Sequence, residues 1–275
     1  MIPARYITQW IENAPWQDEA QIEQDLILSR AIAEIYNNEL LSSHLVFRGG
    51  TALNKLFFKQ SLRYSEDIDL VQYKEGPIGD LMTALHKTLD SWLGKPKYKQ
   101  SSGRVTFYYR FGTENAPVRT MKLKVEINTR EHGSELDIME VPFIINSGWF
   151  SDQTTVKTYC LEELIATKLR ALFQRRKGRD LFDLYQVLLI YPNLDVLSVV
   201  RCLQSYLKRD KITISRAEFE ENMANKLLDD IFREDILPLL PAHLNYNQHS
   251  AYALVHEKII SKLPGASWVG FNQTG

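Results

Sequence analysis

The sequence predicts an α/β protein whose C-terminal part is helical. Three observations carry that reading. A short apolar run, Leu45–Arg48, ends in Gly49-Gly50 and passes into a helix over Thr51–Phe58. The stretch Met121–Asn128 alternates apolar and polar residues with the period of two that marks a strand. From Leu161 onward apolar residues recur at helical spacing almost throughout.

Taken in chain order, residues 4–43 read as helical. Ile7, Trp10 and Ile11 fall on one face, and Ile22, Leu26, Ile27 and the run from Ile32 to Leu41 continue the period. Strand, glycine turn, helix and a second strand occupy 45–73. Gly76-Pro77 breaks the chain, after which Leu81, Leu85, Leu89 and Leu93 form an apolar helical stripe suited to core packing. Gly94-Lys95-Pro96 ends that helix. Val105–Phe111 and Val118–Asn128 read as strands, and further strand-like sequence covers Val141–Ile145 and Thr154–Thr158. The helices that follow are punctuated near Pro192-Asn193, between Pro238 and Pro241, and at Pro264-Gly265. The expected division is 1–158 and 159–275, although no linker marks it.

Bulk properties exclude several classes. The chain has 275 residues, 44% hydrophobic and 24% charged, with a net charge of −1. No global basic field argues for nucleic-acid binding, so any such contact needs a local patch. Two cysteines, Cys160 and Cys202, without a C-x-x-C, fit a reducing cytoplasm. No apolar run approaches the roughly 18 residues of a membrane span, and Met1-Ile2-Pro3 opens no signal peptide. The histidines show no zinc-hydrolase spacing, and Gly49–Lys55 is not a Walker loop.

The chemistry concentrates at Gly49-Gly50-Thr51-Ala52-Leu53-Asn54-Lys55 and Ser65-Glu66-Asp67-Ile68-Asp69. Asp67 and Asp69, two apart on a strand, project from one face. Carboxylates held that close repel unless a cation lies between them, and a hard divalent ion that shares its ligands with phosphates is the natural partner. Backbone N–H groups at a glycine turn and a helix N-terminus suit phosphate oxygens. Cradle and aspartate pair together describe nucleotidyl transfer.

These motifs resemble the polymerase-β-like nucleotidyltransferase superfamily. The fuller string Gly-Gly-Thr-Ala-Leu-x-Lys then Ser-x-Asp-Ile-Asp is similar to the AbiEii/AbiGii toxin branch, which includes MenT-type toxins. The resemblance implies a polymerase-β-like core with a mixed sheet followed by a helical region. It makes Asp67 and Asp69 metal ligands for Mg²⁺ or Mn²⁺ and adds Glu126, a carboxylate between Val125 and Ile127, as the third. By residue type alone, Glu126 fits an outward strand face equally well. Gly49 and Gly50 become nucleotide-binding positions, and Ser65, otherwise an ordinary turn residue, joins the catalytic motif. Arg48 and Arg63 flank the site and are open to either phosphate contact or local ion pairing.

A second constellation follows. Leu161–Phe173 is an amphipathic helix leading into Gln174-Arg175-Arg176-Lys177-Gly178-Arg179-Asp180-Leu181-Phe182-Asp183. In an unbroken helix Lys168, Arg175 and Arg179 share a narrow face, but Gly178 predicts a break. A solvated basic face with helix ion pairs explains such a run without function. Resemblance to the family's helix Lys and Arg-Asp-Leu-x-Asp segment instead makes Lys168 a triphosphate contact and Asp183 its positioning partner. Asp180 is then structural, through Arg179 or Arg175. The similarity spans about residues 45 to 190.

The resemblance implies a toxin of a type IV toxin–antitoxin or abortive-infection system, with a cognate antitoxin encoded separately. The activity expected is transfer of a nucleotide from an NTP to an RNA acceptor, foremost the tRNA 3′ end, which inhibits translation. Arg175, Arg176 and Lys177 are the local basic cluster for RNA. Two alternatives stand beside it, a nucleotidyltransferase acting on a protein or small molecule and a non-catalytic nucleotide-binding protein of the same fold.

Overall fold

The computed structural model describes residues 2–270. The chain forms two compact units, one up to Tyr159 and one from Cys160.

The first unit begins with α1 (Ala4–Gln9), α2 (Glu19–Asn37) and α3 (Glu39–His44). The continuous helical reading of residues 4–43 is corrected here. Pro15 lies in a non-helical segment, and α2 restarts behind Asp18, whose carboxylate accepts from the Ala20 N–H at 3.0 Å. Then follow β1 (Leu45–Arg48), α4 (Gly49–Leu56), β2 (Asp67–Gln72) and α5 (Gly79–Leu93). The Leu81, Leu85, Leu89 and Leu93 stripe is buried, as its spacing predicts. Strands β3 (Lys97–Ser101), β4 (Arg104–Gly112), β5 (Thr120–Asn128), β6 (Ile138–Asn146) and β7 (Ser151–Tyr159) complete the unit.

One seven-stranded mixed sheet has the order β3-β4-β5-β2-β1-β7-β6. β2 runs antiparallel to β1 and parallel to β5, while β1 is parallel to β7. One sheet face buries Ile68 and Leu70 of β2, Val125 and Ile127 of β5, and Phe107 and Tyr109 of β4. Helix α5 lies over it, with Asp90 accepting from the Tyr109 hydroxyl at 3.1 Å. Helix α2 joins the same layer, where Gln24 donates to the Lys122 carbonyl. Burying even one such Val or Ile contributes about 1.5–3 kcal/mol, so alternation fixes which face each β5 residue occupies. Strand β3 has no sequence signal because it is an edge strand exposed at every position, and it pairs with β4 alone.

Buried Asp25 on α2 accepts from Trp10 Nε1 at 2.8 Å and Lys55 Nζ at 2.6 Å. Lys55, although part of the glycine-turn motif, is thereby committed to fixing α4 against α2.

The second unit contains α6 (Leu161–Gln174), α7 (Gly178–Ile190), α8 (Val196–Arg209), α9 (Arg216–Leu228), α10 (Asp230–Glu234) and α11 (Gln248–Lys258). Leu164, Ile165, Leu169, Leu172, Leu181, Phe182 and Phe219 form its core. The predicted break between α6 and α7 falls at Arg175–Lys177. Gly178 is required there by close approach, since a Cβ would stand 2.2 Å from the Phe232 carbonyl oxygen. Lys226 of α9 donates to the carbonyls of Leu172 and Phe173 and caps the end of α6. Burial pushes its pKa down to about 8.

Candidate functional site

The site in the first unit is built by strand register. β1 and β2 pair with Arg48 opposite Asp69, so the turn after β1 arrives beside that carboxylate. Gly49 has φ +82°, and a Cβ on it would stand 2.6 Å from Asp69 Oδ2. Only glycine meets both demands, conformation and space. Helix α4 starts at this turn, and first-turn N–H groups of a helix have no intrahelical partner. Gly50 lies in that turn, its carbonyl accepting from Asn54 Nδ2 at 2.9 Å. Thr51 joins the two motifs, because its hydroxyl bonds Ser65 Oγ at 2.6 Å and donates to the Asp67 carbonyl at 2.6 Å.

Asp67 and Asp69 share a face of β2, and parallel pairing sets Lys124 opposite Asp67 and Glu126 opposite Asp69. All four side chains converge. Lys124 Nζ lies 3.0 Å from Asp67 Oδ2, 3.9 Å from Asp69 Oδ1 and 3.7 Å from Glu126 Oε2. Thr106 donates to Glu126 at 3.4 Å, and Arg104 lies 3.8 Å from its other oxygen. Burial and the neighbouring Asp67 and Glu126 raise the Asp69 pKa above 3.8, opposed by Lys124 and Arg48. Burial works against the Lys124 ammonium, but Asp69, Asp67 and Glu126 outweigh it and raise its pKa above 10.5.

Among the described residues no group of three acidic, histidine or cysteine side chains stands arranged to hold a metal ion. The donor set nevertheless fits a hard divalent cation. Three carboxylates gather around the Lys124 ammonium with Arg104 at the edge, so oxygen donors and a remaining negative charge face the point that ammonium occupies. Lys124 escapes a search for acidic motifs, yet its spacing of two from Glu126 already places it on that face. What sequence spacing lacks is the β2–β5 pairing.

The flanking arginines are engaged locally. Arg48 bonds Glu131 at 2.7 Å, with Asn128 bonding the same carboxylate at 3.1 Å. Arg63 is buried and donates to the Tyr64 carbonyl.

In the second unit Lys168 Nζ sits 2.9 Å from both Asp180 Oδ1 and Asp183 Oδ2, and both carboxylates are fully buried. Arg175 adds a two-pronged contact to Asp180 at 2.7 and 2.8 Å. Burial alone would raise the Asp180 pKa, yet Lys168 and Arg175 hold it well below 3.8. Of the two arginines offered to Asp180 by the sequence, Arg175 is its partner. Arg179 turns to Asp235 at 2.9 Å. The basic cluster expected to meet RNA is also paired, with Arg176 3.2 Å from Asp229 and Lys177 3.1 Å from Asp235. Adjacent cations in the sequence thus each stand beside a carboxylate from a distant position, Lys177 sharing Asp235 with Arg179.

A family model described as the nucleotidyl transferase AbiEii toxin of type IV toxin–antitoxin systems matches residues 30–254. Solved structures with similar folds include MenT4, a nucleotidyltransferase toxin from Mycobacterium tuberculosis. It has a TM-score of 0.65 and 17% identity, covering 95% of this chain and 89% of that one. JHP933 from Helicobacter pylori has a TM-score of 0.52 and 19% identity, with 89% and 95% covered. At these identities the likeness establishes a shared fold. No curated protein sequence matches the chain.

Proposed function

Because the chain belongs to the AbiEii nucleotidyltransferase toxin family of type IV toxin–antitoxin systems, we propose that it transfers a nucleotide from an NTP to the 3′ end of a tRNA. The observation that carries the chemistry is the convergence of Asp67, Asp69 and Glu126 beside the Gly49 turn. The 3′ hydroxyl oxygen attacks the α-phosphorus. The bond from that phosphorus to the bridging oxygen breaks, and pyrophosphate leaves with the electron pair. Glu126 accepts the hydroxyl proton.

Asp67 and Asp69, with Glu126, would hold Mg²⁺ or Mn²⁺, and a bound divalent ion supplies charge neutralisation at the attacking and leaving oxygens. Lys124 balances the same carboxylates and sets their spacing. Gly49 and Gly50 offer backbone N–H groups to phosphate oxygens, and Ser65 with Thr51 fixes the entry to β2. Lys168, oriented by Asp183, is assigned to the triphosphate, where its ammonium acts as a point charge. The family implies NTP use and a separately encoded antitoxin. Among the described residues no helix is long and apolar enough to cross a membrane.

The decisive experiment supplies each labelled NTP with Mg²⁺ to the protein, using intact or periodate-oxidised tRNA. Label should enter only intact tRNA, because oxidation destroys the nucleophile. Equal labelling of both, or label found on protein alone, would overturn the tRNA reading and favour a protein acceptor.

A further inference from the structure

The face of the sheet that carries Asp67, Asp69 and Glu126 continues across β5, β4 and β3, and its register places a second set of side chains beside them. Lys124 pairs with Tyr108 and Tyr108 with Lys97, forming one row away from Asp67. Glu126 pairs with Thr106 and Thr106 with Lys99, forming the row away from Asp69. Arg110 lies opposite Lys122 one row further. Strand pairs stand about 4.8 Å apart, so these rows begin beside the carboxylates and extend roughly 15 Å from β2.

Lys97, Lys99, Arg110 and Lys122 are exposed, and none forms an ion pair among the described residues. Tyr108 is half-buried, with Lys122 Nζ 5.6 Å from its ring centroid. On this face of β2 to β5 the acidic side chains are Asp67, Asp69 and Glu126 themselves.

Lysines on an edge strand have an ordinary explanation, since they discourage sheet-to-sheet pairing. That explanation reaches Lys97 and Lys99 but not Arg110 and Lys122, which lie on internal strands. A net charge of −1 conceals the patch because carboxylates elsewhere cancel it.

We propose that this basic face of β3, β4 and β5 is the track along which the single-stranded end of the acceptor RNA reaches the carboxylates. Lys97, Lys99, Arg110 and Lys122 contact phosphates, and Tyr108 offers a ring on which a base stacks. Unpaired cations flanking an aromatic match how proteins hold single strands, through backbone charge and base stacking. The inference rests on the RNA-acceptor reading above and sets the RNA surface on the sheet in preference to Arg175, Arg176 and Lys177, each of which has a carboxylate within 3.2 Å.

The test uses the full chain and fluorescent unfractionated tRNA, titrated across a salt series. Arg110→Glu with Lys122→Glu should weaken binding at least tenfold, and the slope of log K against log salt should fall by about 0.7 per lost contact. Tyr108→Ala should cost about 5- to 100-fold while Tyr108→Phe binds like the parent. Arg110→Lys with Lys122→Arg keeps the charge and should retain binding, which separates contact from misfolding. Calorimetric NTP binding should be unchanged throughout. Reversal variants that bind within twofold of the parent, while the parent labels tRNA, would overturn the track and leave the tRNA reading standing. A parent that neither binds nor labels tRNA would overturn both.

Discussion

Lys124 explains how three carboxylates share a small space, with Arg104 and Arg48 adding charge at the edges. Its ammonium meets Asp67 closely and Asp69 and Glu126 at longer range, so the four groups form a charge-compensated cluster. Asp69 bears the residual strain of the arrangement, its pKa raised by burial and by the other two carboxylates. A raised carboxyl pKa means the folded protein binds the proton more tightly than the unfolded chain. Ionising Asp69 therefore costs stability as pH rises through that range. Carboxyl-resolved NMR of metal-free protein should show Asp69 titrating above 3.8, and Lys124→Met should raise it further because Lys124 opposes the shift. A downward movement in Lys124→Met would show that the cluster is held together differently.

At the scale of elements, α6 and α7 are joined by buried charge as well as by Leu164, Leu169 and Phe182. Lys168 of α6 meets Asp180 and Asp183 of α7, and Arg175, just past α6, meets Asp180, where neither carboxylate has solvent to fall back on. Removing one partner from such a group costs about 3–5 kcal/mol, because the charges left behind stay buried. Lys168 is therefore structural whatever else it does, and loss of activity in Lys168→Ala needs a stability measurement beside it. Asp180 gives the pH signature. Its folded pKa lies below 3.8, so its contribution is complete above the unfolded value and is lost as pH falls through the folded one. Denaturant titrations should show parent stability dropping progressively as pH falls from about 5 toward about 1, with a smaller drop in Asp180→Asn. Parallel pH profiles for the two proteins would remove Asp180 from that role.

For the whole molecule, family membership and the carboxylate cluster make one joint demand: toxicity must depend on transfer. Induced expression should arrest growth, and Asp67→Ala should abolish the arrest while leaving a folded protein. If Asp67 holds the metal as proposed, its loss would cost several kcal/mol of transition-state stabilisation, a hundredfold or more in rate at about 1.4 kcal/mol per decade. Arrest by a folded Asp67→Ala protein at parental expression would separate toxicity from this site. The near-neutral charge of the chain also means that the proposed RNA contact would draw on where cations lie, not on how many there are.

The sequence by itself determined the elements and motifs that rest on local physics. Period-two alternation made β5 legible, a four-residue leucine stripe made α5 legible, and the i, i+2 spacing set Asp67 and Asp69 on one face. The glycine turn was legible as well, because conformation at Gly49 is a property of the residue. It gave no sign of β3, whose five positions are all exposed and leave no burial pattern to read. Which charges cancel was settled only by tertiary structure. Lys124 meets Asp67 through a parallel pairing across more than fifty residues, and Arg175, Arg176 and Lys177 find acids that their own segment only partly supplies. Coulomb energy depends on distance in space, and chain order fixes that distance only within a helix turn or along one strand.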